Sequence, residues 1–310
     1  MTTSPREPAL APSPPSHDDT PAWLPVAAVA LTLTLWASAF VAIRYLKDDF
    51  SPGSLSLGRL LIGSAALGAV AMTRPRTRMS GRDWAAVIAG GVLWFGIYNV
   101  ALNAGEQRVD AGTAVMLIQV SPLLIALLAA VFLGERFTLF LGVGLVLAFA
   151  GVAIIALGSS RSGEHDVVGV ALCLVSALAY SVALVAQKPV VGRVPALQVT
   201  WLACTVGAVV CLPFLGDLVR DMRAASASSV AWVVYLGVFP TAIAFTTFAF
   251  ALRHMGASRL GVTTYLVPPL TIVMGLVFLG EAPPTLAYLG GILALVGVGV
   301  ARRRPKEAGS

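Results

Sequence analysis

Long uninterrupted apolar runs dominate this chain. Ten of them lie at 24–44, 52–72, 84–103, 112–133, 139–157, 168–187, 198–216, 229–251, 260–279 and 286–301, and the only charged residues they contain are Arg44 and Arg59. About 20 apolar residues are enough for a helix to cross the hydrocarbon core of a bilayer. Backbone polar groups in lipid must be bonded within a helix or a closed barrel. A barrel strand would alternate apolar and polar residues, and these runs do not. The pattern therefore predicts an all-α integral membrane protein with ten transmembrane helices. Composition agrees: 57% of the 310 residues are hydrophobic and 12% are charged, against about 25% charged in a soluble domain. A soluble enzyme, a secreted domain and a disordered chain are excluded, and the short connections leave no soluble domain.

The charges orient the helices. Fourteen basic residues fall in the two tails and in loops 73–83, 134–138, 188–197 and 252–259. Five fall on the other side: Lys47, Arg108, Arg161, Arg220 and Arg223. Excess Lys and Arg marks the cytoplasmic side. Both termini are expected in the cytoplasm, as an even number of spans requires, with the protein in the cell (inner) membrane. The net charge of +6 is then a topology signal, and no nucleic-acid partner is expected. Residues 1–22, with Pro5, Pro8, Pro12, Pro14, Pro15 and Pro21, read as a disordered cytoplasmic tail with no signal peptide. Residues 302–310 read as a basic tail. Cys173, Cys204 and Cys211 are odd in number and sit in apolar runs, so they read as packing residues. No metal-ligand spacing or cofactor motif is present, and none of either is expected.

The chain repeats itself. Phe132-Leu133-Gly134-Glu135 recurs 146 residues later as Phe278-Leu279-Gly280-Glu281. At the same offset Pro122 falls on Pro268, Gly144 on Gly290, Ala148 on Ala294 and Gly151 on Gly297. At an offset of 144, Trp36 falls on Tyr180 and Arg44 on Lys188. Two five-helix repeats, 23–157 and 168–301, follow. Five is odd, so they enter the membrane from opposite sides, with the Glu135 loop cytoplasmic and the Glu281 loop external. Inverted repeats are the architecture of alternating-access transporters.

The segment Leu35-Trp36-Ala37-Ser38-Ala39-Phe40 resembles the drug/metabolite transporter superfamily, of EamA type. So does the unit of Pro122, Leu133-Gly134-Glu135-Arg136, Gly144 and Gly151, with its copy at Pro268, Gly280-Glu281, Gly290 and Gly297. The resemblance implies secondary transport of small metabolites, with export of amino acids and related compounds among the activities of similar members. The second copy departs from the first at Ala282-Pro283-Pro284, which stiffens that loop.

Neutral polar and aromatic residues within the spans are the candidate substrate site: Trp36, Tyr98, Asn99, Gln119, Tyr180 and Tyr265, as a symmetric set lining a central cavity. Each alone has a second reading as interhelical packing or hydrogen bonding. Arg59 has two readings: a structural arginine near an interface, or the counter-ion of a substrate carboxylate. Arg44 reads as a boundary anchor. Pro122, Pro240 and Pro268 should kink their spans and free a carbonyl, as hinges or as static bends. Glu135 and Glu281 read as structural, pairing with basic groups or capping a helix. Gly144 and Gly290 open small-residue faces that pack the fifth and tenth helices together. A monomer is expected, with homodimerisation ranked lower. No Asp or Glu lies mid-span, so proton coupling through a central carboxylate is not expected, and Glu106, at a helix end, is the residue that would contradict this. A membrane-embedded enzyme is disfavoured, because His17, His165 and His254 lie in tail or loops and no nucleophile elbow, zinc or phosphate-loop motif occurs. A channel or lipid scramblase is disfavoured by the lack of a charged ring.

Overall fold

The computed structural model describes residues 21, 23–132, 134, 137–161, 167–191, 193–255 and 263–301. The two tails apart from Pro21, together with Leu133, Glu135, Arg136, His165, Arg259 and the start of the ninth apolar run, lie outside the described residues. Every regular element among the described residues is helical. In order they are α1 (Trp23–Tyr45), α2 (Pro52–Met72), α3 (Gly81–Glu106), α4 (Ala111–Phe132), α5 (Leu139–Arg161), α6 (Val167–Val191), α7 (Ala196–Val210), α8 (Leu215–Ala224), α9 (Ala227–Ala251), α10 (Val267–Leu279) and α11 (Thr285–Ala301). Seven are long and apolar enough to cross a membrane. Ala196–Val210 and Leu212–Ala224 meet at 52° and make an eighth span if taken as one. The last two apolar helices, Thr264–Leu279 and Thr285–Ala301, are shorter.

Local chemistry sets the helix starts. Ser51 caps α2 ahead of Pro52 at the first position, where the missing N–H costs nothing. Ser80 and Asp83 form a capping box on α3. Asp110 accepts from the Thr113 amide at 2.8 Å to start α4. Gly280 ends α10 in the left-handed conformation (φ 64°), which glycine adopts without a Cβ penalty.

Four features depart from ten regular spans. First, α8 is a polar helix where the run-length reading ends in a loop. Arg220 pairs with Asp217 at 2.9 Å. Asp221 turns inward, taking the Ser54 hydroxyl at 2.5 Å and the Ser51 amide at 3.0 Å. Second, α3 and α9 each contain a π-helical stretch, Gly91–Tyr98 and Gly237–Ile243, whose first glycines are 146 residues apart. Pro240 lies inside the second stretch and supplies no amide to the Leu236 carbonyl four residues back, and the Thr241 hydroxyl donates to that carbonyl at 2.9 Å. Third, α4 breaks at Gln119–Val120. Pro122 leaves the Ile118 carbonyl free, and the Ser121 hydroxyl takes it at 2.6 Å. Fourth, Pro268 lies in the first turn of α10, behind the 3-10 turn Thr264–Leu266. It opens a helix there instead of bending one, because the first-turn N–H has no partner to lose.

Contacts between the halves recur in reciprocal pairs. The Thr32 hydroxyl of α1 donates to the Ala244 carbonyl of α9 at 3.3 Å. Its counterpart, Ser176 of α6, donates to the Tyr98 carbonyl of α3 at 3.2 Å. Arg193 bonds Asp83 at 2.6 Å, and Ser229 bonds Asp49 at 2.5 Å. Gly63 lies against Thr241 and Gly207 against Phe95. A Cβ on Gly144 would meet the Gly297 carbonyl, and one on Gly151 the Gly290 carbonyl. Such exchange of partners is what an approximate two-fold axis produces. It brings the backbones of α5 and α11 into direct contact, where dispersion between small residues drives association.

Candidate functional site

A cavity of about 190 Å³ lies between α1, α2, α3, α4, α6, α9 and the start of α10, so both halves line it. That is smaller than the roughly 300–1,000 Å³ of pockets for drug-sized ligands. Its wall is aromatic. Trp94 meets Tyr180 edge-on at 5.1 Å and Phe245 at 5.3 Å. Trp36 meets Phe245 at 5.8 Å, and Tyr98 meets Tyr180 at 5.9 Å. These edge-to-face and tilted contacts hold the rings in fixed orientations.

Arg59 is the one charged residue in the lining. Its Nε donates to the Thr241 hydroxyl at 3.0 Å. Thr241 in turn donates to the Leu236 carbonyl, so the guanidinium is tied to the π-helical stretch of α9. The Gly63–Thr241 contact lets α2 and α9 approach closely enough for this bond. Neutral polar groups complete the lining. Asn99 donates to the Phe95 carbonyl at 2.9 Å and the Trp94 carbonyl at 3.3 Å, groups of the α3 π stretch. The Asn99 Oδ1 and the Gln119 Nε2 have no hydrogen-bond partner in the fold. Gln119 lies at the break of α4.

Of the residues read from sequence, Trp36, Arg59, Tyr98, Asn99, Gln119, Tyr180 and Pro122 lie together in this lining. Tyr265 does not. It packs against the cluster that contains Leu123, Leu141 and Ala294, while its neighbours Thr264 and Val267 face the cavity. Trp94, Thr241 and Phe245 also line the cavity and escaped the sequence reading. Equivalent positions here carry dissimilar side chains: Phe245 is the counterpart of Asn99, and Trp94 that of Pro240. A two-fold axis brings equivalent positions to the cavity whatever side chains they carry.

Beyond one end of the cavity lies a charged cluster. The Arg44 Nε donates to both Glu281 oxygens, at 3.1 and 2.9 Å. Its Nη1 donates to the Glu106 and Gln107 carbonyls at 3.0 and 3.2 Å. Arg44 thereby joins α1, the end of α3 and the α10–α11 loop. Glu106 has 0% exposure, and neither of its carboxylate oxygens has a hydrogen-bond partner. The expectation of an interior without acidic groups does not hold at this helix end. The last turn of α3 is buried against its neighbours, where run length alone places it at the membrane edge. Among the described residues no His, Cys, Asp or Glu cluster could hold a metal ion.

An all-helical, multi-pass membrane protein whose two repeats enclose a solute-sized cavity is a transporter architecture. The EamA-like transporter family matches residues 23–157 and again residues 167–303. The chain belongs to that family. A relative from Streptantibioticus cattleyicolor, named "Probable terminal-alkyne amino-acid exporter", is 38% identical over 89% of this chain and 93% of its own length. The transporter YdfC of Bacillus subtilis, itself uncharacterised, is 33% identical over 87% of this chain and 88% of its own. A solved crystal structure shares the fold, with a TM-score of 0.57 and 22% identity over 90% of this chain and 96% of that one.

Proposed function

We propose that this protein is a secondary transporter that exports small carboxylate-bearing metabolites, amino acids or close relatives, by alternating access. Ten spans form two inverted five-helix halves in the cytoplasmic membrane, with both termini in the cytoplasm, and the protein has no enzymatic role. The observation that carries the substrate class is Arg59. A cation inside a membrane protein is expensive unless it pairs, and the cavity around this one offers no carboxylate. A cargo carboxylate would supply the missing charge, bonded by the guanidinium's free donors. The aromatic wall would take a short apolar side chain, and Asn99 and Gln119 would meet the remaining polar groups. The relative named as an exporter of terminal-alkyne amino acids supports a cargo of this size and polarity.

Purified protein in liposomes tests this reading. Propargylglycine and small apolar amino acids should be moved, and their carboxamide analogues should not. Arg59→Gln should abolish the difference between the two series, and equal flux of both by the unaltered protein would refute the assignment. Trp36→Ala and Gln119→Ala should lower flux while leaving expression intact.

A further inference from the structure

Asn99, Asn103 and Glu106 occupy successive turns of one face of α3. Asn99 lines the cavity, and Asn103 and Glu106 are both 0% exposed. Four oxygens on this face lack any donor: Asn99 Oδ1, Asn103 Oδ1 and the two of Glu106. The Asn103 amide nitrogen is already engaged, donating to the Ser56 hydroxyl at 2.8 Å and to the Pro52 carbonyl at 3.3 Å. A row of acceptors without a donor in a buried place is costly. What it lacks is a positive hydrogen.

We propose that Glu106 is a proton-binding site linked to cargo binding at Arg59. A proton on Glu106 turns an unpaired buried carboxylate into a neutral group with one O–H donor. The Asn103 Oδ1, one turn back on the same face, is the acceptor left open for it. The charged and titratable groups that act on Glu106 come from every helix around it: Arg44 of α1, Arg59 of α2, Tyr98 of α3, Asp110 at the start of α4, and Cys173 of α6. Arg44 is spoken for by Glu281 and two carbonyls. Arg59 is therefore the cation whose field Glu106 modulates. An ionised Glu106 offsets the Arg59 charge and weakens its hold on a cargo carboxylate. A protonated Glu106 leaves that charge for the cargo. Linkage is reciprocal, so binding a carboxylate at Arg59 draws a proton onto Glu106, and the two travel together. Cargo made inside the cell supplies the outward gradient.

The cargo part rests on the proposed function, whereas the proton site does not, and the experiment separates them. Infrared difference spectroscopy of the purified protein should show a protonated carboxyl band that is partial at neutral pH and grows as the pH falls. Glu106→Gln should delete that band and Glu106→Asp should shift it; its absence from the unaltered protein would overturn the proton site. Calorimetric titration with propargylglycine, in two buffers of different ionisation enthalpy, counts protons exchanged on binding. Net uptake is expected, and its loss in Glu106→Gln. Binding without proton uptake, or binding that requires sodium at fixed pH, would overturn the linkage. A carboxyl band with no cargo binding would retain the site and remove the proposed cargo.

Discussion

Replacing Thr241 by valine separates the position of Arg59 from its charge. The substitution keeps the side-chain shape, so the methyl that faces Gly63 remains. It deletes one hydroxyl and with it two bonds: acceptance from the Arg59 Nε at 3.0 Å and donation to the Leu236 carbonyl at 2.9 Å. The first loss frees the guanidinium to rotate. Binding must then immobilise it, at about 0.5–1.5 kcal/mol for a long side chain, which is roughly a 2- to 10-fold weaker affinity. The second loss removes one of the bonds to the Leu236 carbonyl, which keeps the i+5 amide of the π-helical stretch, at about 0.5–1.5 kcal/mol of stability. Titration of an amino acid and its carboxamide into both proteins reads the first effect. Thermal melting reads the second. Affinity should fall for the carboxylate and stay level for the amide. Unchanged carboxylate affinity in a protein whose melting temperature has dropped would refute the idea that Thr241 positions the guanidinium.

Other expectations test the frame around the site. Gly151→Leu places a side chain on the Gly290 carbonyl, and such overpacking costs about 1–3 kcal/mol, visible as a lowered melting temperature; an unchanged one would deny that α5 and α11 touch there. Glu281→Gln should cost about 1 kcal/mol or less, because the pair with Arg44 is partly solvent-exposed, whereas Arg44→Ala should cost more by orphaning the carbonyls at the end of α3; equal melting of the two variants would contradict that ranking. A cysteine at Arg74 or Arg302 should react with an impermeant label only from the cytoplasmic face, and external labelling would reverse the topology.

The repeat was legible in the sequence because identical residues at a fixed offset are a linear property. The same offsets predict which contacts exchange partners: Thr32 with Ala244 and Ser176 with Tyr98 follow from 144 and 146. The π-helical stretches were not legible. Nothing in Gly91–Tyr98 differs in hydrophobicity from an ordinary span, and the extra residue per turn arises where neighbouring helices press close. At Gly91 the neighbours are Val206 and the Ala203 carbonyl, and at Gly237 they are Ile62 and the Arg59 carbonyl. The helix α8 was hidden for the opposite reason, since its charges read as a loop until Asp221 is seen to turn inward onto α2.

Run length, charge bias and identity at a fixed offset, read along the chain alone, determined the membrane class, the expected orientation and the twofold duplication, because each is a property of the linear chain and not of its neighbours in space. Membership of the cavity was decided only by tertiary structure. Gln119 enters it while its counterpart Tyr265 does not, although both stand three residues before a proline. Glu106 is the sharper case. Its place at the end of an apolar run suggests an interfacial residue, and the packing of α1, α2, α4 and α6 around that turn closes it off from solvent. Burial of a helix end depends on the tilt and reach of the helices beside it, and no pattern within one segment encodes that.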